Sequence, residues 1–161
     1  MPRISRFFMH AAALTLILTF TGCGQKPIPA NRDVKGKNVV VVLSKDKRFK
    51  QEVITQVAAA LEGKGIRVLR DGAGSSGSYR AADYGTVVYF TEFWMWHTPL
   101  DAKRYYHHND EAPNIVFVIT SGDPHVKIRK PFDAVTSAST PKEVERVSKE
   151  ILARLEKILG R

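Results

Sequence analysis

Val39-Val40-Val41-Val42-Leu43 is the stretch on which the fold class turns. Its five apolar residues, four of them β-branched, run without polar alternation. That pattern reads as a strand buried on both faces, as in a parallel sheet with helices above and below. The neighbouring residues agree. Phe49, Val53, Val57 and Leu61 recur at four-residue spacing, with Ile54 and Ala58 beside them, and predict an amphipathic helix over residues 47–62. Asp46 stands where it can cap the start of that helix, and Gly63 and Gly65 where they can end it. Ile66-Arg67-Val68-Leu69 reads as a second, shorter strand. A strand–helix–strand unit is the usual route to two parallel strands.

Further along, residues 71–78 (DGAGSSGS) are expected to form a flexible loop. A third strand starts at Thr86–Phe90 and leads to Phe93, Trp94 and Trp96. Residues 98–111 are polar, with room for a short helix, and Asn114–Thr120 is a fourth buried strand. Phe132–Ser137 is a candidate fifth strand at an edge. Only residues 122–131 lie between the fourth and fifth strands, whereas a parallel crossover usually takes a dozen or more. The fifth strand is therefore either antiparallel or has lost its crossover helix. Thr140-Pro141-Lys142-Glu143 has the form of a capping box with proline at the first helical position. Val144, Val147, Ile151, Leu155 and Ile158 then make one apolar stripe of a closing helix that packs on the sheet.

This order of elements resembles the flavodoxin-like family, and so do three local stretches. They are the first strand with its helix; Val87–Phe90 followed by Trp94, Trp96, Thr98 and Pro99; and Thr120-Ser121-Gly122 at the end of the fourth strand. The resemblance covers roughly residues 38–159. It implies an α/β three-layer sandwich with a mostly parallel sheet of four to five strands, and fewer helices here than is usual. It also implies a ligand site at the C-terminal strand ends, where strand order reverses. By that resemblance an FMN site would draw on Ser44, Lys45, Lys47 and Arg48 from the first loop, on Trp94, Trp96 and Thr98 from the third, and on Thr120, Ser121 and Gly122 from the fourth. The first loop departs from the family pattern: Ser44-Lys45-Asp46-Lys47-Arg48 has no glycine and one hydroxyl, so a backbone phosphate cradle is missing. Trp94 and Trp96, two apart, share a side if the segment is extended, and offer either a stacking platform or a partner-binding patch.

The N-terminus carries an address. Arg3 and Arg6 open a basic segment, and Phe7–Phe20 is apolar apart from His10, Thr15 and Thr19. The run is shorter than the about 20 residues that a membrane span needs and has the layout of an export signal. Phe20-Thr21-Gly22-Cys23 resembles a bacterial lipobox, with Phe20 where Leu is preferred. The expectation is a signal peptide over residues 1–22, lipidation (palmitate included) at Cys23, a tether over 23–37 and a domain over 38–161. Cys23 is the single cysteine, so no internal disulfide can form. By the sorting rule of enteric bacteria, Gly24 after the cysteine points to the outer membrane. The protein would then sit in the cell envelope on the periplasmic face, held to the membrane by lipid.

The mature chain keeps 23 basic and 16 acidic residues, a net charge of +7. This suits solubility, with anionic head groups or an acidic partner as the sharper alternative. Nucleic acid is not expected outside the cytoplasm. His107-His108-Asn109-Asp110-Glu111 matches no common zinc spacing and reads as a solvated polar stretch. No Gly-x-Ser-x-Gly elbow or P-loop occurs, and Gly72-Ala73-Gly74-Ser75-Ser76-Gly77, although it has Gly-x-Gly-x-x-Gly spacing, precedes a strand rather than a helix and reads as a plain loop. The sequence thus points to a lipid-anchored module that binds a ligand or a periplasmic partner without catalysis, with an FMN-binding electron-transfer protein as the alternative. Cys23→Ala should abolish incorporation of labelled palmitate into the chain in a bacterial host; labelling that survives the substitution would remove the lipobox reading.

Overall fold

The computed structural model describes residues 33–93, 97–123, 125–128 and 130–160. Cys23 and most of the expected tether lie outside these residues, as do Trp94 and Trp96. The elements are β1 (Gly36–Ser44), α1 (Arg48–Glu62), β2 (Arg67–Gly72), β3 (Tyr84–Glu92), α2 (Leu100–His108), β4 (Ile115–Ser121), β5 (Ala134–Ala138) and α3 (Val144–Leu159). The strands form one sheet in the order β2-β1-β3-β4-β5, and every neighbouring pair is parallel.

The two-sided burial of β1 follows from its place in this order, with a strand on either side and a layer on either face. Val40 and Val42 face the layer formed by α1 and α3, where they meet Val53, Val57, Val147 and Ile151. Val39, Val41 and Leu43 face the opposite layer, built from α2, two 3-10 turns and the side chains of Val126, Ile128 and Phe132. The closing helix behaves as its stripe predicts: Val144, Val147, Ile151 and Leu155 are buried. The expected capping box does not form. Pro141–Glu143 is a 3-10 turn, Thr140 makes no side-chain cap bond, and its hydroxyl is buried without a partner. The tight turn moves the true helix start past Glu143, whose carboxylate pairs with Arg146 instead at 2.7 Å.

Three further expectations change. Residues 71–78 are not a loose loop: Ala73–Ser78 and Ala81–Asp83 are 3-10 turns. Asp71 accepts from the Gly72 N–H at 2.7 Å, the Ser75 hydroxyl at 3.2 Å and the Tyr79 hydroxyl at 2.8 Å, which satisfies the turn locally. α2 then ties it down: Tyr105 donates to the Tyr79 carbonyl at 2.7 Å, and buried Asn109 accepts from the Ala81 N–H at 2.6 Å. The fifth strand is parallel to β4 and lies at the edge, so the crossover is the one that lost its helix. Phe132 fills the place of that helix by stacking on Phe117 with ring centroids 3.8 Å apart. Along the outer side of β5, Arg146 donates to the Thr136 carbonyl at 2.9 Å and Arg154 to that of Asp133 at 3.3 Å.

β1 begins at Gly36, within the stretch expected as tether, and its register against β3 shifts between Gly36 and Val40. Buried Gly85 faces this irregularity. A methyl group there would overlap the Lys37 carbonyl oxygen and crowd Leu159. The strand needs glycine for this close backbone approach. Gly85→Ala should therefore cost about 2 kcal/mol, lowering the urea midpoint at constant m-value; an unchanged midpoint would show that the β1 bulge gives way freely.

Candidate functional site

Because all five strands run the same way, their C-terminal ends gather on one rim. Strand order reverses between β1 and β3, since the chain builds outward from β1 to β2 on one side and to β3, β4 and β5 on the other. Ligand sites of such sheets form at this switch point. Ser44 ends β1 there, Glu92 ends β3, and Thr120 and Ser121 end β4.

The start of α1 is open. Its N-cap is Lys47, in extended conformation, with no side-chain cap bond. Asp46 does not cap the helix as expected, because the helix begins one residue too late for its carboxylate to serve as the cap. Lys45 and Lys47 are exposed on either side of it. Among the described residues the first N–H groups of α1 thus have no side-chain cap, and the helix dipole adds to two cations. Arg48 does not join them; it pairs with Glu52 at 3.0 Å along its own helix. The Ser44 hydroxyl donates to the Lys45 carbonyl at 2.9 Å, closing the turn on itself.

Lys50 is the residue that sequence reasoning missed. It occupies a position of the apolar stripe of α1, is only 1% exposed, and its Nζ lies 3.0 Å from Glu92 Oε1. The available signal was a lone cation at a spacing otherwise filled by Val53, Ile54 and Val57. Hydrogen bonding from Lys50 holds the Glu92 carboxyl below its ordinary range; burial opposes this, and the charges of Lys50, Lys47 and Lys45 assist it.

The remaining expected site residues share the rim but use their polar groups internally. Thr98 reaches the Lys130 carbonyl at a long 3.4 Å. Thr120 is buried and donates to the Thr91 carbonyl at 3.3 Å. Ser121 donates to the Asp123 carbonyl and accepts from the Asp123 N–H, an ordinary serine turn. Gly122 is exposed, with open space where a Cβ would stand. On the α2 face, Thr91 donates to Asp101 at 2.9 Å, and burial pushes the Tyr89 hydroxyl, beside Asp101 and Ser76, up to about 12. His107 pairs with Glu111 at 3.2 Å, and among the described residues no three His, Cys, Asp or Glu side chains lie together as metal ligands.

For the phosphate of an FMN the donor set is a partial fit. Lys45, Lys47 and the open N–H groups of α1 suit a dianion by charge. The cradle of hydroxyls and glycine N–H groups is missing, and Glu92 already holds Lys50.

The Lys50–Glu92 pair has a pH signature. The folded-state pKa of Glu92 is depressed, so its contribution to stability is present above the ordinary glutamate value of 4.5 and is lost as pH falls below it. Glu92→Gln should lower the urea midpoint at neutral pH by an amount that shrinks as pH falls through this window. A difference constant across the whole range would mean that the pair contributes no charge-dependent stability.

No family model matches the sequence, and no curated protein matches it either. Among solved structures, the fold is similar to a flavodoxin from the domain Archaea, with 9% identity and a TM-score of 0.50 over 74% of this chain and 97% of that one. An oxidised flavodoxin 2 from Bacillus cereus aligns over 74% of this chain and 98% of its own, with 12% identity and a TM-score of 0.49. At 9% identity, the likeness to the archaeal protein is one of architecture, and it agrees with the strand order and layers above: the chain has a flavodoxin-like fold.

Proposed function

We propose that this domain binds FMN on the rim between β1 and β3 and serves as an electron carrier, held to the periplasmic face of a bacterial membrane through lipid on Cys23. The reading rests on one observation. The start of α1 lies at the switch point without a side-chain cap, flanked by the exposed cations Lys45 and Lys47. Helix N-termini of this kind hold phosphates. Lys45, Lys47 and the first N–H groups of α1 would take the phosphate by charge. Bound flavin supplies one- and two-electron transfer; the chain's own residues would position it and exclude water. Asp46 does not cap the helix, which leaves its first N–H groups open to an anion although the first loop has no glycine cradle.

A second reading has its own support. Ser44, Thr120 and Ser121 all spend their hydroxyls on nearby backbone, leaving none of these three for a phosphate. On this reading the domain keeps the fold without the cofactor and binds a periplasmic partner on the same rim, as the sequence suggests for the Trp94/Trp96 segment. One titration separates the two. The full-length chain, purified in detergent from a host grown with riboflavin, should show flavin absorption bands or quench FMN fluorescence at protein concentrations on the order of micromolar. Lys47→Glu should then weaken FMN by about tenfold or more, the loss of one charge-assisted contact and its replacement by repulsion. A colourless protein that leaves FMN fluorescence unchanged at about 100 μM would retire the redox reading and leave the partner-binding one.

A further inference from the structure

The face of the sheet opposite α1 carries a cleft of about 520 Å³, within the range of small-molecule sites. It lies between the 3-10 turn at Ala73–Ser78 and α2, and Lys45, Ser76, Tyr89, Asp101, Arg104 and His108 line it. Its floor is the stacked pair Tyr89 and Tyr105, with ring centroids 5.0 Å apart. Gly74 and Gly77 stand in the turn wall with open space where side chains would be.

An inventory of donors and acceptors says what such a cleft can take. Its one carboxylate, Asp101, is occupied: it accepts from the Thr91 hydroxyl at 2.9 Å and from the Ala102 N–H at 2.9 Å, and the Tyr89 hydroxyl lies against it. Tyr89 is 2% exposed, with Ser76 on its other side. The cations differ. Neither the Lys45 nor the Arg104 side chain has an ion pair or a hydrogen bond among the described residues, and His108 is exposed in the last turn of α2. The acceptor is thus satisfied within the protein while the charged donors on the rim are not. A guanidinium presents a planar fork that matches an oxyanion.

We infer that this cleft is a binding site for a small oxyanion, a phosphate or carboxylate carried on a compact body that sits between the Ala73–Ser78 turn and α2. Arg104 is its principal ligand, with Lys45 and His108 assisting. The inference does not rest on FMN. The start of α1 lies on the other face of the sheet, and only Lys45, above the rim between them, belongs to both. The cleft exists because a short turn follows β2 where a covering helix would otherwise stand.

The test uses the full-length chain in detergent, with thermal unfolding and isothermal titration at constant ionic strength in chloride. Inorganic phosphate and benzoate are the two probes. Saturable stabilisation by either supports the site, and the stronger of the two identifies which oxyanion it takes. Arg104→Gln should weaken that probe by about tenfold, the loss of a charge-assisted bond. Ser76→Phe, which fills the cleft, should abolish binding, whereas Lys47→Gln, at the start of α1, should leave it unchanged. The inference fails if neither probe binds saturably. It also fails if binding survives both Arg104→Gln and Ser76→Phe but is lost in Lys47→Gln, because the anion would then belong to α1. Should Ser76→Phe unfold, Arg104→Gln alone decides. FMN binding is scored separately by fluorescence, so either reading can fail without the other.

Discussion

A strand shielded above and below needs two covering layers, and β1 dictates how this chain supplies them. Its even-numbered residues Val40 and Val42 meet α1 and α3, and its odd-numbered residues Val39, Val41 and Leu43 meet the α2 side. Strands buried this way run parallel, because each return path must cross a face of the sheet. Parallel strands in turn bring every outgoing loop to the same rim. The gathering of Ser44, Glu92, Thr120 and Ser121 at one end is thus a consequence of where four valines and a leucine must hide, and the rim's chemistry is laid over it.

The two layers are unequal. One has two long helices whose apolar stripes fit the sheet. The other has the single nine-residue α2, two 3-10 turns and the segment before β5. Aromatic side chains make up the difference: Tyr106 packs edge-on against Phe132, which stacks on Phe117. Buried Asn109 and half-buried Asn114 satisfy the polar groups of the turns, Asn114 by donating to the Ala81 carbonyl at 2.8 Å. Stacked rings cover a sheet with fewer residues than a helix does, and they leave the open space between the turn and α2.

Periodicity carries the strands, the helices and the parallel start of the sheet, because burial imposes a period of two or of about 3.6 on the residues themselves. It does not settle the direction of β5, since a crossover without a helix leaves no periodic trace. Capping departs from expectation at both long helices for one reason: Asp46 and Thr140 are correct residue types, but each cap depends on where the first turn closes, and the two starts lie one and several residues later. Gly85 has no distinguishing pattern in the sequence, because its role comes from the Lys37 carbonyl of β1. The site is legible as a place on the rim. Its chemistry is less so, because Lys50 and Glu92 lie 42 positions apart and meet only through the fold.

The arginines of α3 along β5 bear on how copies of this protein meet one another. An edge strand offers its outward carbonyls as a template for a neighbour's strand. Here Arg146 covers that of Thr136 and Arg154 covers that of Asp133 just before the strand, and Glu143 and Glu150 hold the guanidiniums in place. A newcomer at this edge would have to displace an intramolecular network before forming its first ladder bond.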